Sequence, residues 1–91
     1  MDKLTFKKIT SELKCGREIE FSYLGKQYSI TNSNGYWNFC CDTDGTLLEQ
    51  LCAFDDKEKL INCLSNVCIE NILLPNIFDE EKYDSGSVCV L

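Results

Sequence analysis

Ninety-one residues enclose enough interior for one core and too little for two, so the chain reads as a single domain over residues 1–91. Apolar residues make up 44% and charged residues 26%, with one Pro and five Gly, a composition that folds rather than staying disordered. Nine Lys and Arg against 15 Asp and Glu give −6, and the absence of His removes imidazole chemistry and every His-containing metal site.

In chain order, Phe6, Ile9 and Leu13 recur at i, i+3 and i+7 and predict a short amphipathic helix. Thr5 stands where a cap belongs, Lys7, Lys8, Glu12 and Lys14 face outward, and Gly16 follows the last turn. From Arg17 the period switches to two. Ile19, Phe21 and Tyr23 share one face and Glu18, Glu20 and Ser22 the other, the pattern of a half-buried strand. Leu24-Gly25-Lys26 supplies a tight turn, Gln27 to Thr31 repeats the alternation through Tyr28 and Ile30, and Asn34-Gly35 suits a second turn of positive φ. Tyr36 to Cys41 is a third strand, with Trp37, Phe39 and Cys41 on one side. Thr46 to Phe54 fits a helical stripe through Leu47, Leu48, Leu51 and Cys52, yet the turn before it favours a fourth strand, which is the reading adopted. Asp55, three residues before Glu58, has the spacing of a capping box, and Leu60, Ile61, Leu64, Val67 and Cys68 follow at helical spacing. Pro75 opens a short last helix through Ile77 and Phe78. The expected class is α+β: an N-terminal helix, a three- to four-stranded antiparallel meander, then one longer and one short helix. Residues 85–91 are either a mobile tail or an extra edge strand.

The seven cysteines are odd in number, and several occupy apolar slots of these patterns. The start, with Lys3, Lys7 and Lys8, carries no apolar signal region, and no apolar run approaches the ~20 residues that span a bilayer. The chain is therefore read as cytosolic, in a bacterium or its host cell, with reduced and mostly buried thiols and no membrane contact. Ser87-Val88-Cys89-Val90-Leu91 has the look of a prenylation box, but its Cys is third from the end instead of fourth.

Phe39-Cys40-Cys41-Asp42-Thr43-Asp44-Gly45-Thr46-Leu47 resembles the first motif of the haloacid-dehalogenase phosphatase superfamily. The resemblance implies Asp42 as phosphoryl-accepting nucleophile, Asp44 as general acid and base, and Mg²⁺ between them. That family needs a parallel strand with a crossover helix, whereas this motif follows two hairpins. Asp and Gly also satisfy a plain turn, the reading preferred here. A calcium loop centred on Gly45 would put Cys40 and Leu51 at ligand positions, and neither coordinates calcium. Zn²⁺ held by cysteines is the alternative cofactor, but no Cys-x2-Cys pair exists and Cys40 and Cys41 point to opposite faces of a strand. Without His no cysteine has an activating base, so no catalytic, metal or cofactor residue is assigned.

Charge is ordered along the chain. Residues 1–26 carry six bases and four acids, whereas residues 27–91 carry three bases and eleven acids, a net −8. That sign opposes direct binding of nucleic acid and suits a basic protein surface. The chain is similar, through its opening helix, its Gly25-Lys26 and Asn34-Gly35 hairpins and its acidic runs, to small acidic phage and mobile-element proteins of the anti-CRISPR kind. This resemblance implies a stoichiometric inhibitor or adaptor of a larger, basic, nucleic-acid-handling protein such as a Cas nuclease. Asp55, Asp56, Glu58, Asp79, Glu80, Glu81 and Asp84 are the candidate partner-binding residues. Tyr23, Tyr28, Tyr36 and Trp37 either anchor that partner or pack the sheet, and open sheet edges also admit a homodimer.

Overall fold

The computed structural model describes residues 4–91; Met1 to Lys3, and with them the basic Lys3, lie outside the described residues. The architecture is α+β in two layers. Helix α1 (Phe6–Lys14) is followed by strands β1 (Ile19–Tyr23), β2 (Lys26–Ser33), β3 (Tyr36–Cys41) and β4 (Thr46–Ala53). Helix α2 (Lys57–Ser65), a small hairpin of β5 (Cys68–Ile69) and β6 (Ile72–Leu73), helix α3 (Leu74–Asp79) and strand β7 (Cys89–Val90) complete the chain. The main sheet has the order β4-β3-β2-β1-β7 with every neighbour antiparallel.

Each element forms for the reason its residues suggest. Thr5 Oγ1 accepts a hydrogen bond from Lys8 N at the start of α1, and Gly16, at φ +87°, lets the chain leave it. Ile9 and Leu13 are buried. The β1–β2 turn places Leu24 and Gly25 at φ +51° and +80°, and the β2–β3 turn places Asn34 and Gly35 at +55° and +84°. Both φ values positive is the turn whose twist matches a hairpin, and Gly takes the second position without a Cβ penalty. The inward residues Ile19, Phe21, Tyr23, Tyr28, Ile30, Trp37, Phe39 and Cys41 are buried beneath Leu60 and Leu64 of α2 and Leu74, Ile77 and Phe78 of α3. Phe21 meets Phe78 edge-on at 5.0 Å, and Trp37 stacks on Phe54 at 5.3 Å while its Nε1 donates to the Phe54 carbonyl. Tyr23, Tyr28 and Trp37 are therefore core, and of the four aromatics considered as anchors Tyr36 alone is exposed.

Three sequence expectations need correction. The cap of α2 is Asp56, whose Oδ1 accepts from Lys59 N, so the Asp55–Glu58 capping box does not form. The helix stops at Ser65, and Val67 and Cys68 lie beyond it because Glu70 and Asn71, both at positive φ, turn the chain into the β5–β6 hairpin. The thiols are not mostly buried: Cys41 and Cys52 are, but Cys15, Cys68 and Cys89 are exposed. The four-stranded meander is as expected, and of the two alternatives for residues 85–91 the structure takes the extra edge strand, with 89–90 pairing on β1.

Thr46–Ala53 is a strand, and its helix-like stripe has a physical origin. The register steps from Trp37↔Cys52 to Asn38↔Gln50 and from Phe39↔Glu49 to Cys40↔Leu47, so Leu51 and Leu48 are each an extra residue in a bulge. Two insertions break the period of two and imitate helical spacing. They bury the adjacent Leu51 and Cys52 and leave Leu47 and Leu48 exposed. No helix among the described residues is long and apolar enough to cross a membrane.

Leu24 is 65% exposed in a left-handed conformation that disfavours a side chain of its kind. Leu24→Asn is expected to raise unfolding free energy by about 1 kcal/mol, read as a higher urea midpoint at unchanged slope.

Candidate functional site

The seven candidate acids fall into two groups at opposite ends of the sheet. Phe54 N donates to Gly35 O, so Asp55, Asp56 and Glu58 follow immediately at the end marked by the β2–β3 turn. At the other end Gly25 N donates to Asp84 Oδ2 at 3.4 Å, and Asp79 Oδ1 accepts from Phe6 N at 2.9 Å at the start of α1. The eight residues of β2 separate the two ends by roughly 25 Å. The sequence suggested one acidic surface, and the fold divides it.

The acids also divide by role. Asp56, Asp79 and Asp84 accept from backbone N–H groups and hold the fold together. A carboxylate at a helix start, as Asp79 is for α1, meets both free N–H groups and the positive end of the helix dipole. Asp55, Glu58, Glu80 and Glu81 are exposed, and their carboxylates make no hydrogen bond or ion pair among the described residues, so their charge is available to a partner.

A second surface went unnoticed in the sequence. All three helices cover one face of the sheet, which leaves the opposite face open. Its outward positions are Glu18, Glu20 and Ser22 from β1 and the residue before it, Gln27, Ser29, Thr31 and Ser33 from β2, Tyr36, Asn38 and Cys40 from β3, and Leu47 and Gln50 from β4, with Ser29 itself buried among its neighbours. None of these is Lys or Arg. The polar side chains satisfy one another: Ser22 Oγ donates to Gln27 Oε1 at 2.6 Å, Ser29 Oγ to Asp42 Oδ1 at 3.0 Å, and Glu18 Oε2 accepts from Asn32 N at 2.9 Å. Thr31, Ser33, Asn34, Asn38, Cys40, Leu47 and Gln50 line an open groove of ≈ 430 Å³. Tyr36, 45% exposed, and Leu47, 55% exposed, are the large apolar residues of this face on β3 and β4. The alternation of β2 and β3 predicts the face; what it cannot predict is that no helix covers it.

Asp42 to Gly45 is the turn between the antiparallel strands β3 and β4, with Gly45 N donating to Asp42 O. Asp42 is bonded to Ser29, and Asp44 pairs with Lys26 Nζ at 2.9 Å, so neither stands on the strand-to-helix crossover that the phosphatase motif requires. The hydrogen bond and charge of Lys26 hold the Asp44 carboxyl below the usual carboxylate range, and Asp44 raises Lys26 in turn. Burial, with Asp42 nearby, pushes the Cys40 thiol up, and burial with Cys63 as neighbour does the same to Cys52, so both stay protonated at neutral pH. Among the described residues no three Cys, Asp or Glu side chains converge as metal ligands would.

Asp79→Ala is expected to lower stability by about 1 kcal/mol, while Glu80→Ala and Glu81→Ala stay within about 0.5 kcal/mol. Equal effects in urea unfolding would deny Asp79 its structural role. For the Lys26–Asp44 pair the lowered carboxyl means that its interaction is complete above the ordinary Asp range and lost as pH falls through the lowered value. Lys26→Met should return the Asp44 titration, followed by carboxyl NMR, to near ~3.9.

No protein-family model, no curated protein and no solved structure matches the chain.

Proposed function

We propose that the chain is a small acidic binding protein, a stoichiometric inhibitor or adaptor of a larger, basic, nucleic-acid-handling protein, in the manner of an anti-CRISPR inhibitor of a Cas nuclease. The observation that carries the reading is the open sheet face: it holds carboxylates, neutral polar groups and two exposed apolar side chains, and no cation at any outward position. A face of this composition repels the phosphate backbone and complements a surface rich in Lys and Arg. Tyr36 and Leu47 supply the apolar contact that holds a complex once formed, since aromatic anchors carry a disproportionate share of binding energy. Asp55, Glu58, Glu80 and Glu81, with no internal partner, steer the encounter from the two ends of the strands. The reading places the protein in a reducing cytosol, where its seven unpaired thiols persist.

Affinity capture with the immobilised chain tests it. The expected partner is a basic nucleic-acid-handling protein, captured one to one, whose nuclease or binding activity falls as the chain is added to equimolar amounts. Tyr36→Ala combined with Leu47→Ala should weaken the complex by roughly tenfold or more. Glu80→Ala with Glu81→Ala should slow association and flatten its dependence on salt as the screening length falls from ~10 Å at 0.1 M to ~3 Å at 1 M. A partner that is acidic at the contact, or a complex indifferent to both pairs of substitutions, would reject this function.

A further inference from the structure

The two edges of the four-stranded meander, β4 and β1, are protected in different ways. Strand β4 carries two bulges, which disrupt an edge against further pairing. Strand β1 has no such device: Ile19–Tyr23 alternates regularly without bulge, Pro or Lys, and what covers its edge is the segment 84–91.

That cover is slight. Backbone pairing runs through Ile19↔Val90 and Glu20↔Cys89 and ends with Leu91 N donating to Glu18 O at 2.8 Å. At the next rung, opposite Ser22, the ladder is completed by a side chain. Ser87 Oγ accepts from Ser22 N at 3.0 Å and donates to Ser22 O at 3.3 Å, while Asp84 N donates to the same carbonyl. Val88 and Val90 face the core but are only half-buried, in contrast to Ile19 and Phe21, which are fully buried. Cys89 is exposed and Leu91 is 59% exposed. The segment returns to β1 through the tight turn Asp84–Ser87, with Gly86 at φ +73°.

We infer that the β1 edge is a strand-receiving groove, that Ser87 latches residues 87–91 into it loosely, and that the same segment of a second copy takes their place when the latch opens. The occupant follows from the seat: the groove fits an extended segment with β-branched residues at alternate positions, as Val88 and Val90 provide. Exchange of an identical element preserves every contact, so turn strain and concentration decide between the intrachain and the exchanged form. This inference is independent of the open face and of its partner.

Amide exchange, peptide titration and light scattering on the full chain test it. Leu91 N–H in the native chain should exchange at least ~100-fold faster than Ile30 and Phe39 of the β2–β3 ladder, as a locally opening element does. A synthetic peptide of residues 85–91, under reducing conditions, should shift the amide signals of Glu18 to Ser22. It should bind Ser87→Ala roughly tenfold tighter than the native chain, because the intrachain competitor has lost its latch. The same peptide with Asp in place of both valines should shift nothing, and Gly86→Val, which strains the positive-φ turn of the closed form, should show a dimer fraction that grows with concentration. Leu91 exchange as slow as that of Ile30, no peptide-induced shift at millimolar concentration, or a Gly86→Val chain that stays monomeric at every concentration would each overturn the inference.

Discussion

One constraint organises the molecule: strands β1, β2 and β3 turn eight apolar residues to the same side, and the described residues include three brief helices with which to cover them. Burying an apolar side chain is worth about 1.5–3 kcal/mol, so leaving that face wet would cost more than the net stability of a typical domain. The helices are therefore placed by the sheet. Phe78 of α3 packs on Phe21, and the carboxylate of Asp79, next in the chain, reaches the first N–H of α1. One short helix thus fixes a strand behind it and caps a helix beside it, and Lys57 of α2 sits over the Phe54 ring at 4.7 Å where that ring stacks on Trp37.

Covering one face decides what the other can be. With every helix committed to the apolar side, the polar side of the alternation becomes a continuous outer surface. Ser22 bonds to Gln27, Ser29 to Asp42 and Glu18 to the Asn32 backbone, and no buried side-chain N or O atom among the described residues lacks a partner. The described cations stand elsewhere: Lys57 and Lys59 on α2, Lys7, Lys8 and Lys14 on α1, Arg17 paired with Glu12, Lys26 at the start of β2 paired with Asp44, and Lys82 after α3. The acidic character of the chain is thereby expressed as a cation-free sheet face with unpaired carboxylates near the strand ends, a geometry that net charge alone does not convey.

The same economy explains the edges. The meander of β1 to β4 has two, and an unprotected edge invites pairing with another chain. On β4 the bulges at Leu48 and Leu51 spoil the template, at the expense of an exposed Leu47 and Leu48. On β1 regularity is kept because both flanks pair, with β2 on one side and the 84–91 segment on the other. A serine hydroxyl supplies the last rung there, so one edge is closed by geometry and the other by a latch.

The short-range features were legible in the sequence because short-range physics makes them. The α1 stripe of Ile9 and Leu13 with its Thr5 cap, the two positive-φ turns at Gly25 and Gly35, the inward set from Ile19 to Cys41 and the Pro75 start of α3 each depend on neighbours a few residues apart. Composition likewise determined an acidic chain without His. Tertiary structure alone decided that Asp56 rather than Asp55 caps α2, that Asp79 serves α1 across 73 residues of chain, and that the acidic runs separate to opposite ends. It also decided that the helix-like leucines of β4 belong to a bulged strand, and that 89–90 pair with 19–20. These outcomes rest on which distant surfaces must be buried together, and a local pattern carries no information about the partner that covers it.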